Sequence, residues 1–109
     1  MSKRNGVTLL NDKLKEGKNV CVGVDTDPKE ISKEIDEFLR SSYRIPPYAS
    51  QGVVMRRFNE GIIRATCDSV CAYKFNLKFY LAELHQGLWA LQESVRFAKE
   101  VAPDVPLIL

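Results

Sequence analysis

Apolar residues recur along this chain in two rhythms, and the alternation between them marks out the elements. Val7, Leu10 and Leu14 return at helical spacing until Gly17 ends the run, which predicts a short amphipathic helix. The next run, Asn19-Val20-Cys21-Val22-Gly23-Val24-Asp25, is almost continuously apolar and β-branched and closes on a carboxylate. That pattern predicts a strand buried on both faces, as in parallel sheets covered by helices. Asp27-Pro28-Lys29-Glu30 then carries a helix start, with Asp27 as cap, Pro28 in the first turn and Glu30 closing a capping box. Ile31, Ile35, Phe38 and Leu39 supply that helix with an apolar stripe, and it is expected to stop near Ser41-Ser42.

Tyr43 to Gln51, with Pro46-Pro47 inside it, reads as a loop or insertion whose outer bounds are set at residues 43–57. Met55, Phe58, Ile62 and Ala65 define a further helical face, followed by a turn at Asp68-Ser69. Val70-Cys71-Ala72-Tyr73-Lys74 is a second buried strand that again ends on a charge. After Asn76 a helical segment is expected to be interrupted near Gly87 and to resume with Leu88, Leu91, Val95 and Ala98 until Pro103. Pro106-Leu107-Ile108-Leu109 opens a third apolar strand. Strands alternating with helices of this length are the signature of βαβ units with parallel strands, hence an α/β fold.

Composition narrows the picture. With 45% hydrophobic and 28% charged residues, the chain has the make-up of an ordinary globular protein. Its 109 residues are domain-sized but well short of the roughly 250 typical of a closed (β/α)₈ barrel. The 16 basic and 14 acidic side chains leave a net charge of +2 and are scattered, without the basic stripe that phosphate-backbone binding needs, so nucleic acid is not expected as a partner. Met1-Ser2-Lys3-Arg4 is basic but is followed by no apolar core, so neither a signal peptide nor a membrane partner is expected. Cys21, Cys67 and Cys71 lie among apolar residues and form no paired framework, which predicts buried thiols in a reducing, cytoplasmic setting. The single histidine, His85, falls in a later helical stretch where a surface or packing role suits it, and no metal site is expected.

Ligands of parallel α/β folds bind beyond the carboxyl ends of the strands. The first strand delivers Asp25 to that edge, and the second delivers Lys74 with Asn76 just beyond. A carboxylate and an ammonium from adjacent strands can pair and each hydrogen-bond a polar substrate. Each residue also has a plainer account: Asp25 as a turn or capping residue, Lys74 as a solvated strand end, Asn76 as the cap of the segment beginning at Leu77. Trp89 reads as the cover of a layer boundary or a subunit contact.

The residues Val22-Gly23-Val24-Asp25 with Asp27-Pro28, Phe58-Asn59 with Ile62-Ile63 and Ala65-Thr66, Ala72-Tyr73-Lys74-Phe75-Asn76 with Phe79-Tyr80, and Val105-Pro106-Leu107-Ile108-Leu109, taken in order, resemble the opening of the orotidine 5′-phosphate decarboxylase family. The resemblance implies the first two βα units and the start of the third strand of a TIM barrel. It also implies decarboxylation of orotidine 5′-phosphate to uridine 5′-phosphate, with no cofactor, by a homodimer. Residue by residue, it implies that Asp25 binds a ribose hydroxyl, that Lys74 bridges the ribose and the catalytic carboxylate, and that Asn76 lies near the ribose. The family's third strand runs on into Asp-x-Lys-x-x-Asp, whose lysine protonates C6, and the chain reaches Leu109 just before such a motif, so these 109 residues alone are expected to be inactive and to fold poorly. Two other readings compete: another phosphate-sugar barrel lyase or an aldolase, and a non-catalytic piece that docks with complementary barrel elements.

Overall fold

The structure is a computed structural model and describes residues 5–109. Helix α1 (Gly6–Lys15) leads into strand β1 (Val20–Gly23); a single 3₁₀ turn (Pro28–Glu30) and α2 (Lys33–Ser42) follow. Next come α3 (Gln51–Thr66), β2 (Val70–Lys74), α4 (Leu77–Leu81), α5 (Leu84–Val101) and β3 (Leu107–Ile108). The strands form one parallel sheet in the order β1-β2-β3. This is the α/β arrangement that the alternating pattern predicts.

Register divides the sheet into two unlike faces. Val22 pairs with Tyr73 and Tyr73 with Leu107, and these three pack, together with Val24 and Phe75, against Met55 and Ile63 of α3 and Ala90, Leu91 and Ala98 of α5. Gly23, Lys74 and Ile108 form the next row; alternation turns them to the opposite face, and all three are exposed. Tyr73 anchors the covered face: its hydroxyl donates to the Ile63 carbonyl (3.0 Å) and shares a 2.7 Å hydrogen bond with Thr66, while burial pushes its phenol above the ordinary range.

Several expectations are corrected. β1 is not buried on both faces, since Val20 and Cys21 are exposed. It is an edge of the described sheet, bonded to β2 alone and covered by helices on one face. Of the three cysteines only Cys71 is buried; Cys21 is exposed on that edge strand, and Cys67, at the C-cap of α3, is partly buried. The helix expected from Asp27 is split. Asp27 caps only the 3₁₀ turn, Ile31 is extended (ψ 118°), and α2 restarts behind Ser32, whose hydroxyl accepts the Ile35 N–H at 3.2 Å. Of its stripe only Leu39 is fully buried. Finally, the loop set at residues 43–57 gives way to α3 at Gln51, and its ordered part is held by Arg40, which donates to the carbonyls of Pro46 (3.0 Å) and Ala49 (3.4 Å).

The break expected near Gly87 falls instead before Leu84, which adopts a left-handed backbone (φ 54°), and Gly87 lies buried inside α5. The buried stripe of α5 is Gly87, Ala90, Leu91, Ser94 and Ala98, so Leu88 faces solvent rather than the core.

α1 is tied to the turn before β3 by a buried ammonium: Lys13, 3% exposed, donates to the Asp104 carboxylate. That hydrogen bond raises the pKa of Lys13 above its ordinary 10.5 and lowers that of Asp104 below its ordinary 3.8. The stabilisation is therefore complete between those two values. It fades as pH falls through the lowered Asp104 pKa, or rises through the raised Lys13 pKa. Lys13→Met is expected to lower the urea midpoint by a constant amount from about pH 5 to 9, with the gap from wild type narrowing below about pH 3. A gap that stays the same at every pH would show that Lys13 acts by packing alone.

Candidate functional site

The carboxyl ends of β1 and β2 lie side by side, and all three candidate residues meet there. Gly23 of β1 pairs with Lys74 of β2, and the next backbone hydrogen bond, from Val24 N–H to the Lys74 carbonyl (2.8 Å), carries the pairing one residue past the strand. Asp25 follows at once. Its Oδ1 accepts the backbone N–H of Asn76 at 2.9 Å, tying the end of β1 to the start of α4. Asn76 is the N-cap of that helix, its side-chain oxygen accepting the Lys78 N–H at 3.1 Å, so the capping account of Asn76 holds. The Asp25–Lys74 ion pair that adjacent strands allow does not form: among the described residues, no ion pair involves either side chain. Lys74 is the one exposed residue of β2, at its carboxyl end.

Behind this edge lies a buried polar cluster that the sequence pattern does not reveal. Asn59 of α3, wholly buried among apolar side chains, accepts from the Thr26 hydroxyl and donates to the Tyr80 hydroxyl (3.1 Å) and to Ser94 Oγ (2.9 Å). Tyr80 in turn donates to the Val24 carbonyl, and Ser94 to the Ala90 carbonyl at 2.7 Å. Burial raises the pKa of the Tyr80 phenol, with the hydrogen bonds from Asn59 and Thr26 opposing the shift, so Tyr80 remains a donor at neutral pH. Every proton in the chain of bonds has an acceptor, and no buried side-chain nitrogen or oxygen among the described residues lacks a partner. The signal available in the sequence was a polar residue at i, i+4 spacing between Met55 and Ile63, which places Asn59 on an apolar face.

A pocket of about 310 Å³ opens beside Asp25, between Val22, Val24 and Thr26 of the β1 end and Phe58 and Ile62 of α3. Gly23 flanks Asp25 without a side chain; a Cβ there would make an ordinary 3.5 Å contact with Asp25 Oδ2. A second hollow of about 350 Å³ lies elsewhere, lined by Ser50, Val53, His85, Gln86 and Trp89. There the Arg56 guanidinium stands over the Trp89 ring at 5.4 Å, so Trp89 covers the boundary between α3 and α5. His85 is exposed. Among the described residues, no group of three or more His, Cys, Asp or Glu comes together as a metal site would require, and no helix is long and apolar enough to cross a membrane.

Comparison with known proteins gives one consistent answer. The chain is 34% identical over 100 residues to an orotidine 5′-phosphate decarboxylase of Parabacteroides distasonis, covering 92% of this chain and 31% of that protein. It is 36% identical over 90 residues to the enzyme of that name from Thermomicrobium roseum, covering 83% of this chain and 26% of that protein. It is 38% identical over 96 residues to that of Bacteroides fragilis, covering 87% of this chain and 30% of that protein. The chain thus spans about a third or less of the length of these relatives. No family model matches it, and no solved structure matches it closely enough to count as similar.

Proposed function

We propose that this chain, similar over most of its length to orotidine 5′-phosphate decarboxylases, forms the opening βα units of such an enzyme's barrel and carries the ribose-binding edge of its active site. The observation that carries the reading is the convergence of Asp25, Lys74 and Asn76 at one sheet edge, in the order and on the elements that the family pattern assigns to its ribose contacts. Asp25 offers a carboxylate oxygen to a ribose hydroxyl. Lys74, exposed at the carboxyl end of β2, brings a cation to the same edge, where the family's lysine bridges the ribose and the catalytic carboxylate. Asn76 holds Asp25 through its N–H and caps α4 beside it.

Loss of CO₂ from orotidine 5′-phosphate leaves anionic character at C6, so the complete site must favour that charge over the substrate's own carboxylate. Lys74 contributes to the electrostatics of this step and is the residue of this chain assigned to the catalytic set. The family's C6 proton donor belongs to Asp-x-Lys-x-x-Asp, and these 109 residues contain no such sequence. The chain alone therefore supplies the ribose side of the reaction and no turnover. The same reading carries a cytoplasmic homodimer working without metal or organic cofactor.

The test is release of CO₂ from carboxyl-labelled orotidine 5′-phosphate. The chain completed by the remaining barrel of a relative is expected to decarboxylate it without added metal, and the 109 residues alone are expected to leave it intact. Turnover of a sugar phosphate that lacks the pyrimidine, with orotidine 5′-phosphate untouched, would instead assign the chain to another barrel lyase or an aldolase.

A further inference from the structure

We infer that Tyr80 and Thr26 are positioning residues for Asp25, holding its carboxylate so that Oδ2 rather than Oδ1 receives the ribose hydroxyl; the inference rests on the ribose-binding role proposed for Asp25. Asp25 is gripped from both chain neighbours. The carbonyl of Val24 before it accepts the Tyr80 hydroxyl, and the hydroxyl of Thr26 after it donates to Asn59. Tyr80 and Asn59 are fully buried and Thr26 is 7% exposed, so these bonds compete with no water. The side chain is gripped separately, through the Asn76 N–H on Oδ1. Asn76 caps the helix on which Tyr80 sits one turn later, so side-chain and backbone restraints on Asp25 come from the same short helix.

With Oδ1 engaged, Oδ2 remains to accept from a ligand, and Gly23 flanks it without a side chain. None of the residues in this grip needs to touch the ligand. Their effect is on where the acceptor stands, and a displacement of about 1 Å at a reacting or binding group costs on the order of 100-fold.

The experiment uses the chain completed by a relative's remaining barrel and two probes, uridine 5′-phosphate and 2′,3′-dideoxyuridine 5′-phosphate, which lacks both ribose hydroxyls. Tyr80→Phe and Thr26→Val each remove one hydroxyl at nearly constant shape. Both are expected to weaken uridine 5′-phosphate binding by about tenfold and to leave the dideoxy probe unchanged, while Thr26→Ser restores wild-type affinity. Equal weakening toward both probes would mean that the cluster acts only on stability and would overturn the inference, as would unchanged affinity for uridine 5′-phosphate in a folded Thr26→Val. Failure of the underlying reading has its own signature: the wild-type protein and Asp25→Asn would bind the two probes with the same preference.

Discussion

Under the proposed function, replacing Lys74 by alanine in the chain completed by a relative's remaining barrel is expected to lower kcat/KM for orotidine 5′-phosphate by at least about 100-fold, the scale set by removing one preorganised electrostatic group from a site. The interest of the position is that the fold makes little use of its side chain. Lys74 is exposed and in no ion pair among the described residues, while its backbone carries the sheet pairing through Val24, which alanine preserves. Substitutions at such positions usually alter stability by no more than about 0.5 kcal/mol. A large kinetic loss with an unchanged urea midpoint therefore separates chemistry from folding. Asp25→Asn is expected to follow in milder form, because asparagine can keep the oxygen that accepts the Asn76 N–H but loses the charge offered to the ribose. Steady-state kinetics within threefold of wild type for Lys74→Ala would remove it from the site.

Gly87→Ala is expected to destabilise the protein by about 3 kcal/mol or more, against the direction that helix propensity alone would give. In an exposed helix interior, alanine is better than glycine by about 1 kcal/mol. At Gly87, however, a Cβ would stand 1.9 Å from the Tyr80 carbonyl oxygen, 2.8 Å from its carbon and 3.0 Å from Glu83 Cβ. The nearest obstacle is backbone and cannot rotate away, so α5 would have to separate from α4 and carry Tyr80 off the Val24 carbonyl. Gly61→Ala in α3 is the internal control. It lies exposed, with nothing within 4 Å of its Cβ, and is expected to gain up to about 1 kcal/mol. Urea unfolding of the two variants should move the midpoint in opposite directions, and a shared direction would contradict the packing account.

Much of the frame was legible in the sequence because its causes are local. β2 occupies the five residues read from the apolar run, and α1 ends before Gly17, where the backbone turns left-handed (φ 84°). Asp25, Lys74 and Asn76 were legible as an edge because strand ends in parallel sheets must gather on one side. What escaped the sequence was set by partners far along the chain. The Asn59 bonds span 21, 33 and 35 residues, and no window of sequence contains both ends. The split at Ile31 was hidden by a similar competition. Asp27 and Ser32 are both good caps five residues apart, and only the packed structure decides that the first opens a single 3₁₀ turn and the second opens α2. Gly87 looked like a breaker because glycine usually is one; its use here is to let two helices touch.

The most direct test of the proposed nucleotide-binding edge is a titration of the isotope-labelled chain, completed by a relative's remaining barrel, with uridine 5′-phosphate, followed through backbone amide resonances. The predicted result is a set of saturating shifts centred on Asp25, Lys74 and Asn76, with Ser50, Val53 and Trp89 unmoved. Shifts confined to the hollow around Trp89, or no shift at the Asn76 amide that donates to Asp25, would contradict it.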